Sequence, residues 1–377
     1  MSVGVAILGS TGSIGRSTLQ VLTRQRERFR VVALTARSNR ELLDRQVAEW
    51  RPAFVGLVNS GMGDAGSGMR RGNECLIEAA THPDVRIVVN GIVGAAGLEA
   101  TLAALRAGKR VALANKETLV MAGDLVTRAA REGGGEIVPV DSEHSAVLQC
   151  LTGRQPAALA RLILTASGGP FRTWDPARTA HATVAEALRH PTWKMGKKIT
   201  IDSATLVNKA LEVIEAHFLF GVGYDQVDVV VHPQSVIHAF AEFVDGAVLA
   251  QVGFPTMELP ILYALTHPER VPDAGTRRFD PVAAGDLTFE AVRPARFPAY
   301  GLGREAARVG GTAPTAFNAA NEVAVELFLE ERLAFGRIAE IIASVLERHR
   351  SGDVASLDAV LAADADARRL ARETACS

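Results

Sequence analysis

A short acidic motif, PVDSEHSA at residues 139–146, contains two carboxylates with a hydroxyl between them. If the motif continues a strand, Asp141 and Glu143 point the same way, because side chains two residues apart share one face. Neighbouring carboxylates repel each other unless a cation or a shared proton lies between them. Ser142 adds an oxygen, and such a set suits a hard dication such as Mg²⁺ or Mn²⁺. A helix cap, with Glu143 facing the helix dipole, is the alternative.

A third acidic residue would favour the cation, and a helix predicted over residues 204–220 offers Glu212. One face of this helix carries Thr205, Asn208, Lys209 and Glu212. The Asp-Ser pair at residues 202–203 is expected to open the helix as a cap and an anion site. Asn208 and Lys209 then suit phosphate oxygens, and Glu212 could reach the cation. The alternative is a solvated face on which Lys209 and Glu212 form an ion pair.

A glycine-rich segment, GSTGSIG at residues 9–15, lies between a predicted strand at 3–9 and a helix expected to start near Ser13. In this position a glycine turn binds pyrophosphate, because the backbone approaches the ligand closely and the helix N-terminus supplies N–H donors. The spacing is G-x-x-G-x-x-G rather than G-x-G-x-x-G, so a turn without a ligand remains an alternative.

The end of the second predicted strand indicates which dinucleotide is bound. An NAD site usually places an acidic residue there, about 20 residues after the turn, to bind the ribose hydroxyls. This chain has Ala36, Arg37, Ser38 and Asn39 instead. Arg37 could pair with a 2′-phosphate, and the two polar residues after it could add hydrogen bonds. NADPH is therefore favoured over NADH, and an ordinary exposed arginine is the alternative.

The motif LANKETLV places Asn115, Lys116 and Glu117 directly after another predicted strand. Ligands of doubly wound sheets bind beyond the carboxyl ends of the strands. Lys116 could hold a substrate hydroxyl, and Glu117 could contact cofactor or substrate. The alternative is a solvated helix start.

Two motifs of the second half suggest an anion site and a lid. In TASGGPF, residues 165–171, Ser167 and two glycines form a turn that could bind an anion, although a plain turn would look similar. HPTWKMGKK, residues 190–198, is either a basic surface loop or a lid. In the lid, Trp193 and Met195 exclude water while His190 or a lysine meets a phosphate.

The elements that must position these residues change character along the chain. Over residues 1–140, short apolar runs alternate with helical segments, which predicts a parallel, doubly wound sheet. From Ala158 onward, strands with polar interruptions predict an α+β region, and the last part, rich in Ala, Glu, Leu and Arg, predicts a helical domain. A glycine-rich polar stretch at residues 59–74 is expected to be a surface loop.

We therefore expect an α/β protein of several domains, as its 377 residues suggest. Residues 1–141 are predicted to form a Rossmann-like NADPH-binding domain. Residues 142–266 should form an α+β catalytic domain with a lid loop near 188–198. Residues 267–298 read as a linker to a C-terminal helical domain at residues 299–377.

Composition excludes several classes of protein. The 41 Lys and Arg residues against 42 acids leave a net charge of −1, which gives no general attraction to nucleic acid or anionic membranes. Cys75, Cys150 and Cys376 show no CxxC spacing and fit a reducing compartment. No apolar run approaches the roughly 18 residues of a membrane span, and the chain opens directly into a strand-like segment. We expect a cytoplasmic protein whose ligand is a small molecule.

Several motifs occur together and in order between residue 5 and about residue 325. They are GSTGSIG, LANKE, PVDSEHSA, LTASGGPFR, HPTWKMGKKITIDSATLVNKALEVIEA, VHPQSVIHA and NAANEVAV. This combination resembles the 1-deoxy-D-xylulose 5-phosphate reductoisomerase family. The resemblance implies an enzyme of the non-mevalonate isoprenoid pathway that needs NADPH and one divalent metal ion per subunit, usually as a homodimer. Its reaction would convert 1-deoxy-D-xylulose 5-phosphate to 2-C-methyl-D-erythritol 4-phosphate.

The resemblance also implies roles for individual residues. The metal ligands would be Asp141, Glu143 and Glu212, and the catalytic set would add Lys116 and His190. The substrate's hydroxyls and carbon chain would contact Lys116, Ser142, Asn208 and Lys209. Its phosphate would bind Ser167, Ser203, Asn208 and Lys209 with His190 close by, under the lid residues Trp193 and Met195. The cofactor would contact Gly9, Ser10, Thr11, Gly12, Ser13, Ile14, Ala36, Arg37, Ser38, Asn39, Asn115, Lys116, Glu117 and Gly196.

Two other classes remain as alternatives. A simple NADPH dehydrogenase of the homoserine or semialdehyde type also joins a Rossmann domain to an α+β domain. The semialdehyde type needs a nucleophilic cysteine at a turn, whereas Cys150 is expected in a helix and Cys75 in the N-terminal domain. A metal-free dehydrogenase would leave three acids unexplained, and a non-catalytic NADPH sensor is the third class.

Overall fold

The computed structural model describes residues 2–59 and 69–376 and divides the chain into two compact units. The first unit comprises Met1–Thr118, Val126–Ser145 and Thr256–Arg277, and the second comprises Leu119–Leu125, Ala146–Pro255 and Arg278–Ser377. Residues 60–68, most of the loop expected at residues 59–74, lie outside the described residues.

The first unit, as far as it is described, is built on a seven-stranded parallel sheet. Its strands are β1 (Val3–Leu8), β2 (Phe29–Ala36), β3 (Phe54–Leu57), β4 (Arg70–Arg71), β5 (Ile87–Asn90), β6 (Arg110–Leu113) and β7 (Glu136–Pro139). They lie in the order β4-β3-β2-β1-β5-β6-β7, and all neighbours are parallel. The predicted doubly wound parallel sheet is confirmed.

Helices connect these strands and cover the sheet. They are α1 (Ser13–Arg24), α2 (Arg40–Trp50), α3 (Glu74–Thr81), α4 (Leu98–Arg106), α5 (Lys116–Gly133) and α6 (Ser142–Leu151). The central strands are almost continuously apolar because both faces of the sheet are covered, and Gly4 to Leu8 of β1 are all buried. The strand order reverses between β1 and β5, and ligands of such sheets bind at this reversal, beyond the carboxyl ends.

The second unit contains a mixed sheet in its described residues. Its strands are β8 (Leu159–Ala166), β9 (Val227–Val231), β10 (Ile237–Phe243), β11 (Val248–Val252) and β12 (Glu290–Ala291). They lie in the order β11-β10-β8-β9-β12. The β8–β9 pair is parallel and the other pairs are antiparallel. This sheet confirms the expected α+β region, and β12 comes from the segment predicted as a linker.

The remaining helices are α7 (Pro176–Thr179), α8 (Val184–Ala187), α9 (Lys197–Thr205), α10 (Val207–Phe220), α11 (Glu258–Thr266), α12 (Pro281–Ala284), α13 (Pro298–Val309), α14 (Ala313–Leu329), α15 (Arg337–Arg348) and α16 (Leu357–Cys376). A buried apolar cluster joins α9 and α10 to α13–α16 in the second unit, and its largest side chains include Phe171 and Phe317. The helical C-terminal region is as predicted. Among the described residues, no helix is both long enough and apolar enough to cross a membrane.

Helix α11 belongs to the first unit, although the sequence assigned residues 142–266 to the catalytic domain. Arg24 at the end of α1 makes ion pairs with Glu258 at 2.5 Å and with Asp273 at 2.7 Å. The segment Thr256–Arg277 is thereby fastened to the helix that follows the glycine-rich turn.

Candidate active site

The glycine-rich turn leaves β1 at Gly9, whose φ of +83° is a conformation that favours glycine. The backbone N–H groups of Gly9 and Ser10 donate to Thr35 O at 3.1 and 2.8 Å, and Gly12 N donates to Gly9 O at 3.0 Å. A Cβ on Gly15 would lie 2.4 Å from Gly9 O. The turn therefore brings its backbone tightly against the start of α1, as a pyrophosphate-binding turn requires.

Ser10 differs from the other residues of this turn because its side chain is fully buried. Its hydroxyl donates to Gln46 Oε1 at 2.7 Å, and Gln46 Nε2 donates back to Ser10 O at 2.9 Å. The hydroxyl thus supports the turn from inside, whereas Thr11 and Ser13 are not buried.

The segment after β2 presents polar side chains at the same sheet edge. Ala36 is buried, and Arg37, Ser38 and Asn39 are exposed. Asn39 also caps α2, since its side chain accepts a hydrogen bond from Leu42 N at 3.1 Å. No acidic residue stands where an NAD site would need one.

Asn115 and Glu117 form a buried network with the loop that follows β5. Asn115 Nδ2 donates to Ile92 O at 2.8 Å, to Gly94 O at 3.0 Å and to Glu117 Oε2 at 2.9 Å. Lys116 and Glu117 are 6% and 4% exposed, which excludes the solvated helix start.

The loop after β5, residues 91–94, was missed by the sequence interpretation. A Cβ on Gly9 would lie 3.1 Å from Gly91 O, and one on Gly91 would lie 3.1 Å from Ile14 Cβ, so this loop packs against the glycine-rich turn. Val93 on this loop is 68% exposed. The available signal was the glycine-rich GIVG directly after a strand, which indicates close backbone approach.

Asp141 and Glu143 are close together, but not through strand geometry. Strand β7 ends at Pro139 and α6 begins at Ser142, so Glu143 lies in a first helical turn and the expectation that both acids share one strand face is wrong. One oxygen of each acid nevertheless lies within 4.8 Å of the other. Ser142 links them, since its N–H donates to Asp141 Oδ1 at 3.0 Å and its hydroxyl to Glu143 Oε2 at 2.5 Å.

Lys116 brings a positive charge to this acidic pair. Its Nζ donates to Asp141 Oδ2 at 2.6 Å, and the two side chains are only 7% and 16% exposed. His144 is fully buried, with Nδ1 3.9 Å from Asp141 Oδ2. The carboxyl ends of β6 and β7 thus carry a compact set of oxygen ligands and one ammonium group.

In the second unit, the segment after β8 forms a turn around Ser167. Gly168 and Gly169 have φ values of +83° and +65°, and Gly169 N donates to Ser167 Oγ at 3.2 Å. A Cβ on Gly169 would lie 2.7 Å from Ser203 O. The turn is therefore packed directly on α9, which carries Ser203.

His190 joins the two serine hydroxyls, and we call Ser167, His190 and Ser203 the hydroxyl cluster. Its Nε2 lies 2.9 Å from Ser167 Oγ and 3.2 Å from Ser203 Oγ. Its Nδ1 accepts hydrogen bonds from Thr192 N at 3.1 Å and Trp193 N at 2.9 Å. Because Nδ1 accepts, the neutral ring carries its hydrogen on Nε2. Burial lowers the pKa of His190 to about 4, so the ring is a neutral donor near pH 7.

The segment predicted as a lid follows His190 directly. Trp193 and Met195 are half-buried and Gly196 is exposed. The Trp193 ring lies 6.3 Å from the His238 ring. Gly196 precedes α9, so the segment leads straight into the helix that carries Ser203.

The helix predicted over residues 204–220 is two helices. Leu206 has φ +58° and separates α9 from α10. Thr205, expected on the polar face, therefore ends α9 and donates to Ile201 O at 3.1 Å. Asp202 and Ser203 lie inside α9, so the prediction that they cap the next helix is wrong.

Asn208, Lys209 and Glu212 do come together on α10, as the helical spacing predicted. Asn208 Nδ2 donates to Glu212 Oε1 at 2.5 Å, and Lys209 Nζ binds Glu212 Oε2. Glu212 is 0% exposed and Lys209 3%, which excludes the solvated surface pair. A buried carboxylate of this kind needs positive charge nearby.

The parallel sheet, its glycine-rich turn and the polar motifs at the same edge define a dinucleotide-dependent oxidoreductase. Sequence models described as 1-deoxy-D-xylulose 5-phosphate reductoisomerase match residues 5–123, its C-terminal domain 137–220, and a DXP reductoisomerase C-terminal domain 252–370. The chain belongs to the 1-deoxy-D-xylulose 5-phosphate reductoisomerase family.

Relatives named 1-deoxy-D-xylulose 5-phosphate reductoisomerase match along nearly the whole chain. The protein of Ralstonia nicotianae is 50% identical over 97% of this chain and 96% of its own length, and that of Symbiobacterium thermophilum 49% identical over 99% of both. The Zymomonas mobilis enzyme in complex with NADPH has a TM-score of 0.92 at 41% identity, covering 100% of this chain and 99% of its own. A reductoisomerase complex with NADPH, fosmidomycin and magnesium also has a TM-score of 0.92, at 42% identity over 99% and 98%.

Proposed function

We propose that this chain converts 1-deoxy-D-xylulose 5-phosphate to 2-C-methyl-D-erythritol 4-phosphate, with NADPH as reductant and a divalent cation as cofactor. The observation that carries the proposal lies within one sheet: the glycine-rich turn after β1 and the acidic pair after β7 share its carboxyl edge. Relatives at about half identity carry the name of this reaction. A cofactor site and a site for a hard cation on one edge suit a reduction coupled to a rearrangement.

Asp141, Glu143 and Glu212 are proposed to hold the cation. The donor set fits, because carboxylate oxygens are the ligands that Mg²⁺ and Mn²⁺ prefer, and Ser142 already orients the first two acids. When bound, such a cation acts as a Lewis acid toward an adjacent carbonyl and hydroxyl. Lys116 is proposed to bind a substrate hydroxyl, with its ammonium held beside Asp141.

The substrate phosphate is proposed to bind the hydroxyl cluster together with Asn208 and Lys209. His190 donates from Nε2, and two glycines with positive φ leave the backbone N–H groups of the Ser167 turn close to a ligand. Lys209 supplies the positive charge that balances an anion. Trp193 and Met195, directly after His190, are proposed to close over the substrate and exclude water.

The cofactor is proposed to run along the carboxyl edge of the first sheet. Its pyrophosphate would meet the backbone of residues 9–14, and its 2′-phosphate would meet Arg37 with Ser38 and Asn39. Asn115 and Glu117 hold the loop after β5 against the turn and so shape this groove. We add residues 91–94 to the proposed cofactor contacts because they pack on the turn. Lys116 and Gly196 remain proposed contacts from the family resemblance.

We further propose a homodimer located in the cytoplasm. Strand β11 is the last strand of its sheet, and Val248 and Val252 on it are 49% and 36% exposed. An exposed apolar edge strand is a ready template for pairing with a second copy. Light scattering should give a dimer that Val248→Lys weakens, whereas a monomeric wild-type protein would reject this part of the proposal. Cys75, Cys150 and Cys376 are free thiols, as expected in a reducing compartment.

The division into domains at residues 1–141, 142–266, 267–298 and 299–377 also stays a proposal. Limited proteolysis tests it, since cleavage should concentrate within residues 267–298. Protection of the part up to Arg277 would move the boundary, because Asp273 is held by Arg24.

The deciding experiment is a spectrophotometric assay of NADPH oxidation with 1-deoxy-D-xylulose 5-phosphate. We expect oxidation that requires this substrate, stops with EDTA and returns with Mn²⁺ or Mg²⁺. Oxidation that ignores EDTA would indicate a metal-free dehydrogenase. NADPH binding without any turnover would indicate a sensor.

A further inference from the structure

Helix α9 is short, and it carries Ser203 of the hydroxyl cluster next to Asp202. Asp202 is 1% exposed. One of its oxygens pairs with Lys198 Nζ at 2.9 Å, one turn earlier in α9. The other accepts a hydrogen bond from Asn321 Nδ2 at 2.8 Å, across 119 residues of sequence. The buried carboxylate therefore joins the start of α9 to helix α14.

Asn321 itself is fully buried, and it makes this contact at a cost. Within the described residues, its Oδ1 has no hydrogen-bond partner. A buried acceptor without a partner destabilises a protein, and an apolar residue of similar size would avoid the loss. Stability alone does not account for an asparagine here, whereas orientation of Asp202 does.

Helix α14 is in turn fixed to the C-terminal helix. Glu322, the residue after Asn321, pairs with Arg368 of α16 at 2.5 Å, and Arg368 also pairs with Asp364 at 2.7 Å. These carboxylates raise the pKa of Arg368 despite burial, so the charge persists. Asn321 thus projects from a helix whose position is held independently of α9.

We propose that Asp202 and Asn321 are positioning residues through which the C-terminal helices set the place of Ser203 and of the lid's junction with α9. Ser203 follows Asp202 directly, and Lys198 lies two residues after Gly196, where the lid segment ends. A shift of α9 would move the Ser203 hydroxyl away from His190 Nε2, now at 3.2 Å. This inference rests on the proposed function, because it assumes that the hydroxyl cluster binds the substrate phosphate.

The test compares Asn321→Leu and Asn321→Asp with Asn318→Leu. Asn318 is a matched control: it is equally buried on α14, one turn away, but its side chain donates to Glu322 at 3.1 Å rather than to α9. For Asn321→Leu we expect KM for the phosphosugar and the inhibition constant of inorganic phosphate to rise about tenfold, the effect of one hydrogen bond to a charged group. Asn321→Asp should raise both further, since two carboxylates would then face each other.

The affinity for NADPH and the melting temperature separate positioning from a merely structural role. NADPH binding should be unchanged in all three variants, and Asn318→Leu should lower the melting temperature without raising either phosphate constant. Equal effects of Asn318→Leu and Asn321→Leu on those constants, or an effect on the melting temperature alone, would overturn the inference.

Ser203→Ala distinguishes this failure from failure of the proposed function. If Ser203→Ala weakens inhibition by phosphate and Asn321→Leu does not, the inference fails and the phosphate site stands. If Ser203→Ala leaves inhibition by phosphate unchanged, both are overturned.

Discussion

Lys116 Nζ lies 2.6 Å from Asp141 Oδ2, so an ammonium and a carboxylate from adjacent strand ends of one sheet are already paired. Both side chains are largely buried, and their attraction is therefore poorly screened by solvent. Any cation that binds Asp141 must share this carboxylate with Lys116. The pair makes Lys116 a residue whose loss should change metal binding and turnover in opposite directions.

Lys116→Met is expected to bind a metal ion more tightly in the absence of substrate, because a competing positive charge has been removed. Its kcat should fall by about 100-fold, since a group that holds a reacting hydroxyl is lost. Titration with Mn²⁺ and steady-state assays measure the two effects. Weaker metal binding together with unchanged kcat would contradict the assignment.

Glu212→Gln should remove one ligand charge and reduce activity by about 100-fold or more, with the fold and NADPH affinity intact. Glu215→Gln is the matched control, because Glu215 is also buried on α10, three residues further along. Activity at saturating Mg²⁺ and Mn²⁺ affinity are the measurements. Wild-type turnover in Glu212→Gln, or loss of Mn²⁺ binding only in Glu215→Gln, would remove Glu212 from the proposed metal site.

Gly169→Ala should raise KM for the phosphosugar by about tenfold or more and leave NADPH binding unchanged, because the new Cβ would lie 2.7 Å from Ser203 O. Gly153→Ala is a control with similar backbone strain, since its φ is +78° and nothing lies within 4 Å of a Cβ there. Steady-state kinetics of the two variants separate strain from displacement of α9. Equal kinetics would show that the Ser167 turn does not bind substrate.

His190 makes a prediction about stability and pH. Its folded-state pKa of about 4 lies below its ordinary value of 6.5, so on acidification the unfolded chain takes up this proton first. The contribution of neutral His190 is complete above pH 6.5 and is lost as the pH falls from 6.5 toward 4. Urea unfolding at about pH 7 and pH 5 should therefore show a larger loss of stability in the wild type than in His190→Gln. Equal losses would mean that the ring is protonated in the folded protein.

The local parts of the cofactor site followed from the sequence. An apolar run, three glycines and an amphipathic helix specify β1, the turn and α1 through short-range geometry, and the residues after β2 are named by position alone. The spacing of Asn208, Lys209 and Glu212 also required only the helical repeat, and the structure brings these side chains together.

Other features required the tertiary structure. Nothing in ATLVNK, without glycine or proline, marks Leu206 as the residue with φ +58° that separates α9 from α10. The partners of Asp202 lie on its own helix and 119 residues away, and the tautomer of His190 depends on which backbone N–H groups reach Nδ1. Propensity and periodicity act over a few residues and therefore determine the elements. Which buried polar groups meet is decided by packing between distant segments, where each carboxylate or ring must find a partner.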